Sequence, residues 1–257
     1  MIKKILVSQP KPTSDKSPYF DIEAKYNVEI TFKPFIRVEG LSVKEFRQSK
    51  VNLADFTAVI LTARTAVDNF FRLCEESRVH VPDTMRYFCT NEATAHYLQK
   101  YIVYRKRKIF FGSSGKLDDP ALMAAMVKNN KEKFLFPISS VDLENPLVVD
   151  AQDKMLHEHK INFTRAVMYR TVSTEFTPEE IAGYDALIFF SPAGITSLLD
   201  NDPSFDQKKL GTSIGTFGMP TTQAAEKAGL TVNFTAPTPE FPSMVAALDN
   251  YLKSLED

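Results

Sequence analysis

Short apolar runs that stop at a small polar residue or a glycine, each followed by a weakly amphipathic segment, recur along this chain. In YDALIFFSPAGITSLLDND from Tyr184, and in TSIGTFGMPTTQAAEKAGL from Thr212, the pattern predicts strand, turn and helix twice over. Ile195, Leu198 and Leu199 are spaced to form one buried helix face. Lys227-Ala228-Gly229 closes the second helix with a glycine cap. FTAVILTARTAVDNFFRLCEE from Phe56 repeats the arrangement, with Val67, Phe70, Phe71 and Cys74 on one helical stripe, and MRYFCTNEATAHYLQKY from Met85 is its partner. The strand ends at Thr62 and Thr90 lie 28 residues apart, and those at Ser191 and Gly218 lie 27 apart. Two pairs with nearly equal spacing imply two similar halves.

The remaining pattern places these pairs in an order. Lys3 to Ser8 reads as a strand, the proline-rich QPKPTSDKSPY as a loop suited to ligand contact, Tyr19 to Tyr26 as a short helix and NVEITF as a strand. SSGKLDDP is a loop, Pro120 to Asn129 a helix, and KFLFPISS a buried strand that ends at Ser139 and Ser140 before a helical segment. TPEE from Thr177 is a capping box with proline at the first helical position. Leu230 to Phe234 is a strand, and the last helix buries Met244, Leu248, Leu252 and Leu255. KPFIRVEGLS and INFTRAVMYRTVSTEF are long extended stretches that suit connectors between the halves. If they pair, residues 1–35 and 171–257 form one discontinuous domain, residues 40–165 an inserted one, and residues of about 33–40 and 163–172 the connectors. The expected fold class is α/β: two doubly wound, flavodoxin-like domains with parallel sheets, joined by a two-stranded β connector.

Composition narrows the function. A chain of 257 residues is long enough to split into two cores. Its net charge of −1 provides no global field for nucleic acid or a membrane surface. Arg105, Lys106, Arg107 and Lys108 form the densest basic run, but no aromatic platform is interleaved with it. It is read as a solvated turn, with steering of an anionic ligand as a further use. Cys74 and Cys89 fall on buried positions and suggest neither a disulfide nor a nucleophile. His157-Glu158-His159 sits at a helix end without a completing ligand set, so no metal site is expected. MIKKILVSQ is too short for a signal peptide, no apolar run reaches the length of a membrane span, and a cytoplasmic protein is expected. Ser191, Gly194, Gly218, Thr221 and Thr222 sit where helices begin at strand ends, where unpaired N–H groups and the helix dipole attract anions.

The segments ILVSQP with SPY, AVILTARTAV, the EATA turn after YFC, AVMYRTV, ALIFFSPAGITSLL and FGMPTTQAAEKAGLTVNFTAPTP together resemble the uroporphyrinogen-III synthase family, in order and over nearly the whole chain. The resemblance implies two α/β domains joined by a two-stranded ladder, with the ligand in the cleft. It also implies the reaction: hydroxymethylbilane, a linear tetrapyrrole, loses water and closes with its ring D inverted, by way of a spirocyclic intermediate, to uroporphyrinogen III. Left alone, the bilane closes to the symmetric isomer I, so the protein's task is orientation. No cofactor and no metal are implied.

The substrate is a polycarboxylate. Under the resemblance, the strand ends at Thr62, Thr90, Ser139, Ser191 and Gly218 donate N–H groups to it. Gly194 and the hydroxyls of Thr94, Ser140, Thr221 and Thr222 stand nearby, and Arg64, Arg170 and the basic run add charge. Tyr169 falls on the family's connector tyrosine, proposed to assist departure of the hydroxyl; the alternative is a tyrosine that braces the hinge. The chain departs from the family at Ala63-Arg64, where Ser-Pro is common, and at Gly218-Met219-Pro220-Thr221-Thr222, where the family reads Gly-Pro-Thr-Thr. A monomer that meets the upstream bilane-producing enzyme transiently is the expected state. The competing function is a non-catalytic tetrapyrrole-binding or regulatory protein of the same fold.

Overall fold

The computed structural model describes residues 2–14, 16–143 and 146–256. Eleven strands are present among them: β1 (Lys4–Val7), β2 (Glu29–Phe32), β3 (Ile36–Gly40), β4 (Ala58–Leu61), β5 (Arg86–Cys89), β6 (Ile109–Phe111), β7 (Lys133–Ser139), β8 (Asn162–Ser173), β9 (Ala186–Phe189), β10 (Ser213–Phe217) and β11 (Val232–Ala236). They build a five-stranded sheet ordered β11-β10-β9-β1-β2 and a six-stranded sheet ordered β3-β8-β7-β4-β5-β6. The chain divides into two compact units, Met1–Arg37 with Val172–Asp257, and Val38–Thr171. Both unit boundaries fall at β3 and β8. These two strands run antiparallel: the Leu41 N–H donates to the Met168 carbonyl at 2.9 Å, and the Thr174 N–H to that of Phe35 at 2.8 Å.

The first unit shows why a period of two at the strand level becomes a doubly wound layer. Ile5 and Val7 of β1 point to one face, with Ile30, Ile188 and Phe234, and are covered by Ile22 of the helix Pro18–Tyr26 and by Met244, Leu248 and Leu252 of the helix Met244–Ser254. Leu6 points to the other face, with Leu187, Phe189 and Ile214, and is covered by Ile195 and Leu198 of the helix Pro192–Asn201 and by Ala225 of the helix Met219–Lys227. Helices on both faces are what a parallel sheet requires, because both of its faces are apolar. Gly215 in β10 leaves room for the Phe234 ring, which a Cβ would strike. Leu255, expected in the core, is half exposed because the helix ends at Ser254 and the next residue turns outward.

The second unit follows the same logic. Val59, Leu61, Tyr87, Cys89 and Leu135 face Val67, Phe70, Leu73 and Cys74 of the helix Arg64–Glu76. Ala58, Ile60, Phe88, Phe134 and Phe136 face Leu122 and Met126 of the helix Pro120–Lys128 and Leu156 of the helix Pro146–Glu158. Cys74 and Cys89 are both free and buried, and burial pushes both thiols up to about 12, which keeps them protonated. A helical segment is expected after the strand that ends at Ser139 and Ser140. Instead a tight 3₁₀ turn, Ser140–Leu143, intervenes before the helix at Pro146.

Candidate functional site

In a parallel sheet, chain connections leave a crevice beyond the carboxyl ends of two neighbouring strands where the strand order reverses. In the second unit that reversal lies between β4 and β7. Beyond it is a cavity of about 470 Å³, lined among others by Thr62, Thr90, Lys116, Phe136, Gln152 and Arg165. Among the described residues no histidine or cysteine lines it.

Each wall has a local cause. Thr62 directly follows β4, and its carbonyl accepts the Thr90 hydroxyl at 3.1 Å, so Thr90, almost fully buried, ties β4 to β5. The helix Glu92–Tyr97 is capped one residue further on than expected, by the Asn91 side chain, which accepts the Thr94 N–H at 2.8 Å. Thr94 is buried and does not line the cavity. Residues 113–118 are held by one carboxylate. Asp119 accepts the N–H groups of Ser113 and Ser114 at 2.9 and 3.0 Å and caps the following helix through Ala121 and Leu122 at 3.0 and 3.2 Å. Those hydrogen bonds hold its carboxyl well below the usual carboxylate range. The loop so fixed, with Gly115 at φ +75°, carries Lys116 to the cavity. Lys116 makes no side-chain ion pair among the described residues.

Other predicted donors are already occupied. The Ser139 N–H donates to the Asp142 carboxylate at 2.7 Å, so the anion expected at that strand end is supplied by the chain itself. Ser140 is the first residue of the 3₁₀ turn rather than a helix start. Arg165 crosses the Phe136 ring at 4.7 Å and pairs with Asp153 at 2.7 Å and with Gln152 at 3.0 Å, so its charge is balanced inside the cavity wall. Arg64 is exposed, lies over the Tyr97 ring at 5.3 Å and does not line the cavity. Arg170 bonds Glu45 at 2.7 Å and approaches Glu39 at 3.7 Å, a structural role. Ser42 first, and Arg170 after it, pull the Glu45 carboxyl down to about 2. The basic run at 105–108 precedes β6 and is at the amino end of the strands, away from this crevice.

Tyr169 is opposite Ser139 in the β7–β8 register. Its side chain is buried, and its hydroxyl makes no hydrogen bond with the described residues. Burial, with Asp142 adding, pushes the phenol up to about 12.

In the first unit the strand order reverses between β1 and β9. Ser191 caps the helix Pro192–Asn201, accepting the Gly194 N–H at 3.2 Å. A Cβ on Gly194 would come within 3.7 Å of the Ser191 hydroxyl and 3.9 Å of the Ser8 hydroxyl, so the three residues converge at the reversal. Beside them Phe190 and Phe217, at the ends of β9 and β10, stack at 5.6 Å. Gly218 caps the next helix at φ +85°, a conformation that favours glycine, and its carbonyl accepts the N–H groups of Thr221 and Thr222 at 3.1 Å each. Thr221 is buried, and the Thr222 hydroxyl bonds Thr216 at 2.7 Å and Thr235 at 3.1 Å. The Thr222 hydroxyl therefore ties helix to strand, and Thr221 is packed inside. Nothing in the sequence pattern distinguishes Phe190, Phe217, Lys116 or Gln152 as site residues. The signal for Lys116 is local: a glycine precedes it and Asp119-Pro120 caps the helix after it.

Two doubly wound units, each with its own strand-order reversal, define an α/β protein of two similar halves. The model of the family described as uroporphyrinogen-III synthase HemD matches residues 22–246. The chain belongs to this family, and is accordingly an enzyme of that type, acting in tetrapyrrole biosynthesis. The fold is shared with uroporphyrinogen-III synthetase of Helicobacter pylori, at 16% identity over 98% of this chain and 100% of that one, with a TM-score of 0.57. It is shared also with a mutant uroporphyrinogen III synthase of the extremely thermophilic bacterium Thermus thermophilus, at 14% identity over 99% of each chain, with a TM-score of 0.50. None of the curated protein sequences matches the chain significantly. Among the described residues no helix is long and apolar enough to cross a membrane.

Proposed function

We propose that this chain cyclises hydroxymethylbilane to uroporphyrinogen III, with inversion of ring D and loss of water. The observation that carries the reading is the family match over residues 22–246. The site is in keeping with it. The bilane supplies its own electrophile when its hydroxyl leaves, so the protein need hold the chain only where one ring carbon can attack. Donors at the strand-order reversals suit that work: Thr62 and Lys116 in the second unit, Ser8 and Ser191 in the first. The stacked Phe190 and Phe217 rings offer a flat apolar surface to a pyrrole. Tyr169 is the residue we assign to the departing hydroxyl, because its own hydroxyl is unspent among the described residues.

The test is isomer analysis. Hydroxymethylbilane is generated in situ, the purified chain is added without metals or nucleotides, and the oxidised uroporphyrin isomers are separated by chromatography. Predominantly isomer III is expected. Isomer I at the rate of the blank would replace this reading with a non-catalytic tetrapyrrole-binding protein. That outcome would fit the departure at Ala63-Arg64 and the occupied N–H group at Ser139.

Lys116 separates binding from chemistry. Lys116→Met keeps the apolar stem and removes the charge that faces the cavity. KM for the bilane is expected to rise about fivefold with kcat unchanged, and the difference should shrink as salt is added, because an exposed charge is screened. An unchanged KM at low salt would take Lys116 out of the site.

A further inference from the structure

The second unit has another cavity, at the opposite end of its sheet. The loops that lead into β5 and β6 enclose about 390 Å³ at the amino ends of these strands, whereas Thr90 and the Lys116 loop are at the carboxyl ends. That volume is within the range of small-molecule sites.

Its wall is aromatic and rigid. Tyr101 stacks on Phe71 at 4.5 Å with the rings only 5° from parallel, and Phe71 in turn faces Tyr87 at 6.2 Å. The Tyr101 hydroxyl donates to Asp68, which also accepts from Tyr97 at 3.0 Å and from Lys100 at 2.9 Å, so the ring is anchored from behind. Its rim is cationic. Arg105 and Lys108 line the cavity and make no side-chain hydrogen bond or ion pair among the described residues. The turn that carries them is tied at both ends: the Lys108 N–H donates to the Arg105 carbonyl at 2.9 Å, and the Lys108 carbonyl accepts the Tyr87 N–H at 2.8 Å. Asp83 brings one negative charge to the rim and His80 a titratable ring, which leaves a positive balance. Val103 at the lip is 78% exposed.

Packed aromatic rings beside unpaired cations have a matching ligand chemistry: an aromatic ring against the wall, by edge or face, and an anion for the rim. We propose that this cavity is a second ligand site, distinct from the crevice at the carboxyl ends of the strands, for a planar aromatic molecule bearing one anionic group. Nothing in the proposed cyclisation uses these residues, so the site is suited to an effector rather than a substrate. Because a ligand that binds only the folded unit stabilises it, occupation would also raise the unit's melting temperature.

The probe is 8-anilinonaphthalene-1-sulfonate, titrated by its own fluorescence against the full chain, with its uncharged relative N-phenyl-1-naphthylamine as control. Saturable binding of one equivalent of the sulfonate is expected. The double variant R105E/K108E alters only side chains without partners and should fold as the parent does by circular dichroism; it is expected to bind at least tenfold more weakly. The uncharged relative should also bind at least tenfold more weakly than the sulfonate, and Lys116→Met should bind the sulfonate as the parent does. The proposal is overturned if binding does not saturate, if R105E/K108E binds as the parent does, if the uncharged relative binds equally well, or if Lys116→Met abolishes binding.

Discussion

Replacing Tyr169 by phenylalanine is expected to lower kcat for isomer III formation by about 10²-fold, the lower end of what a positioned proton donor contributes, with KM and melting temperature unchanged. The change removes one oxygen and keeps the buried ring, which packs with Leu135 and Met168 in the second unit's core. That oxygen bonds none of the described residues, so its loss leaves no protein group unsatisfied among them. A leaving hydroxyl needs a proton or a strong hydrogen bond, and a phenol pushed up to about 12 from an ordinary 10.0 stays protonated throughout any practical assay. The sign follows from that direction. Burial favours the neutral phenol, so its contribution to stability is complete below the ordinary tyrosine value and is lost as pH rises through the raised one. Between about pH 7 and 9 the rate should therefore show no alkaline limb from this group. A variant with unchanged kcat would leave Tyr169 as a packing residue and move proton donation to solvent or to the substrate.

Phe88→Ala should cost about 4 kcal/mol of the second unit's stability, by the usual range for emptying a buried phenylalanine site. Phe88 is fully buried in β5, with the Phe110 ring at 4.9 Å on one side and Phe134 at 5.0 Å on the other. Both neighbours belong to strands or strand ends of the same sheet and are fixed by its register, so neither can swing into the void. Against a typical total of about 5–15 kcal/mol, roughly a quarter or more of the unit's stability would disappear. Urea titration followed by far-ultraviolet circular dichroism would show the midpoint of one transition moving to lower denaturant. A loss below about 1.5 kcal/mol would mean that the helices over this face close the gap.

How legible the site was depended on the kind of residue. Ser191, Gly194 and Gly218 lie at helix starts as the turn pattern predicts, because capping is a local matter of a few backbone dihedral angles and one side chain. Thr90, Thr94, Thr221 and Thr222 carry hydroxyls beside such turns, yet all are buried or bonded to neighbouring strands. A hydroxyl in a sequence does not disclose which way its rotamer turns. Arg64, Arg170 and the basic run look like candidate anion ligands on charge alone. Arg64 is spent on Tyr97 and Arg170 on Glu39 and Glu45, while the basic run lies at the amino ends of the strands, away from the crevice. Lys116 is an ordinary loop lysine by sequence, and it reaches the crevice because Asp119 holds that loop in place.

Residue order alone was enough for most of the alternation of strands and helices, for caps such as that at Ser191, and for the family, since each of these is written in spacing over a few to a dozen residues. Strand order needed the folded chain, and with it the places where β1 meets β9 and β4 meets β7. That order depends on which strands pair across tens or hundreds of residues, as β1 does with β9, and no local period encodes it. The same holds for which cations remain unpaired, because a charge is free or spent according to its neighbours in space.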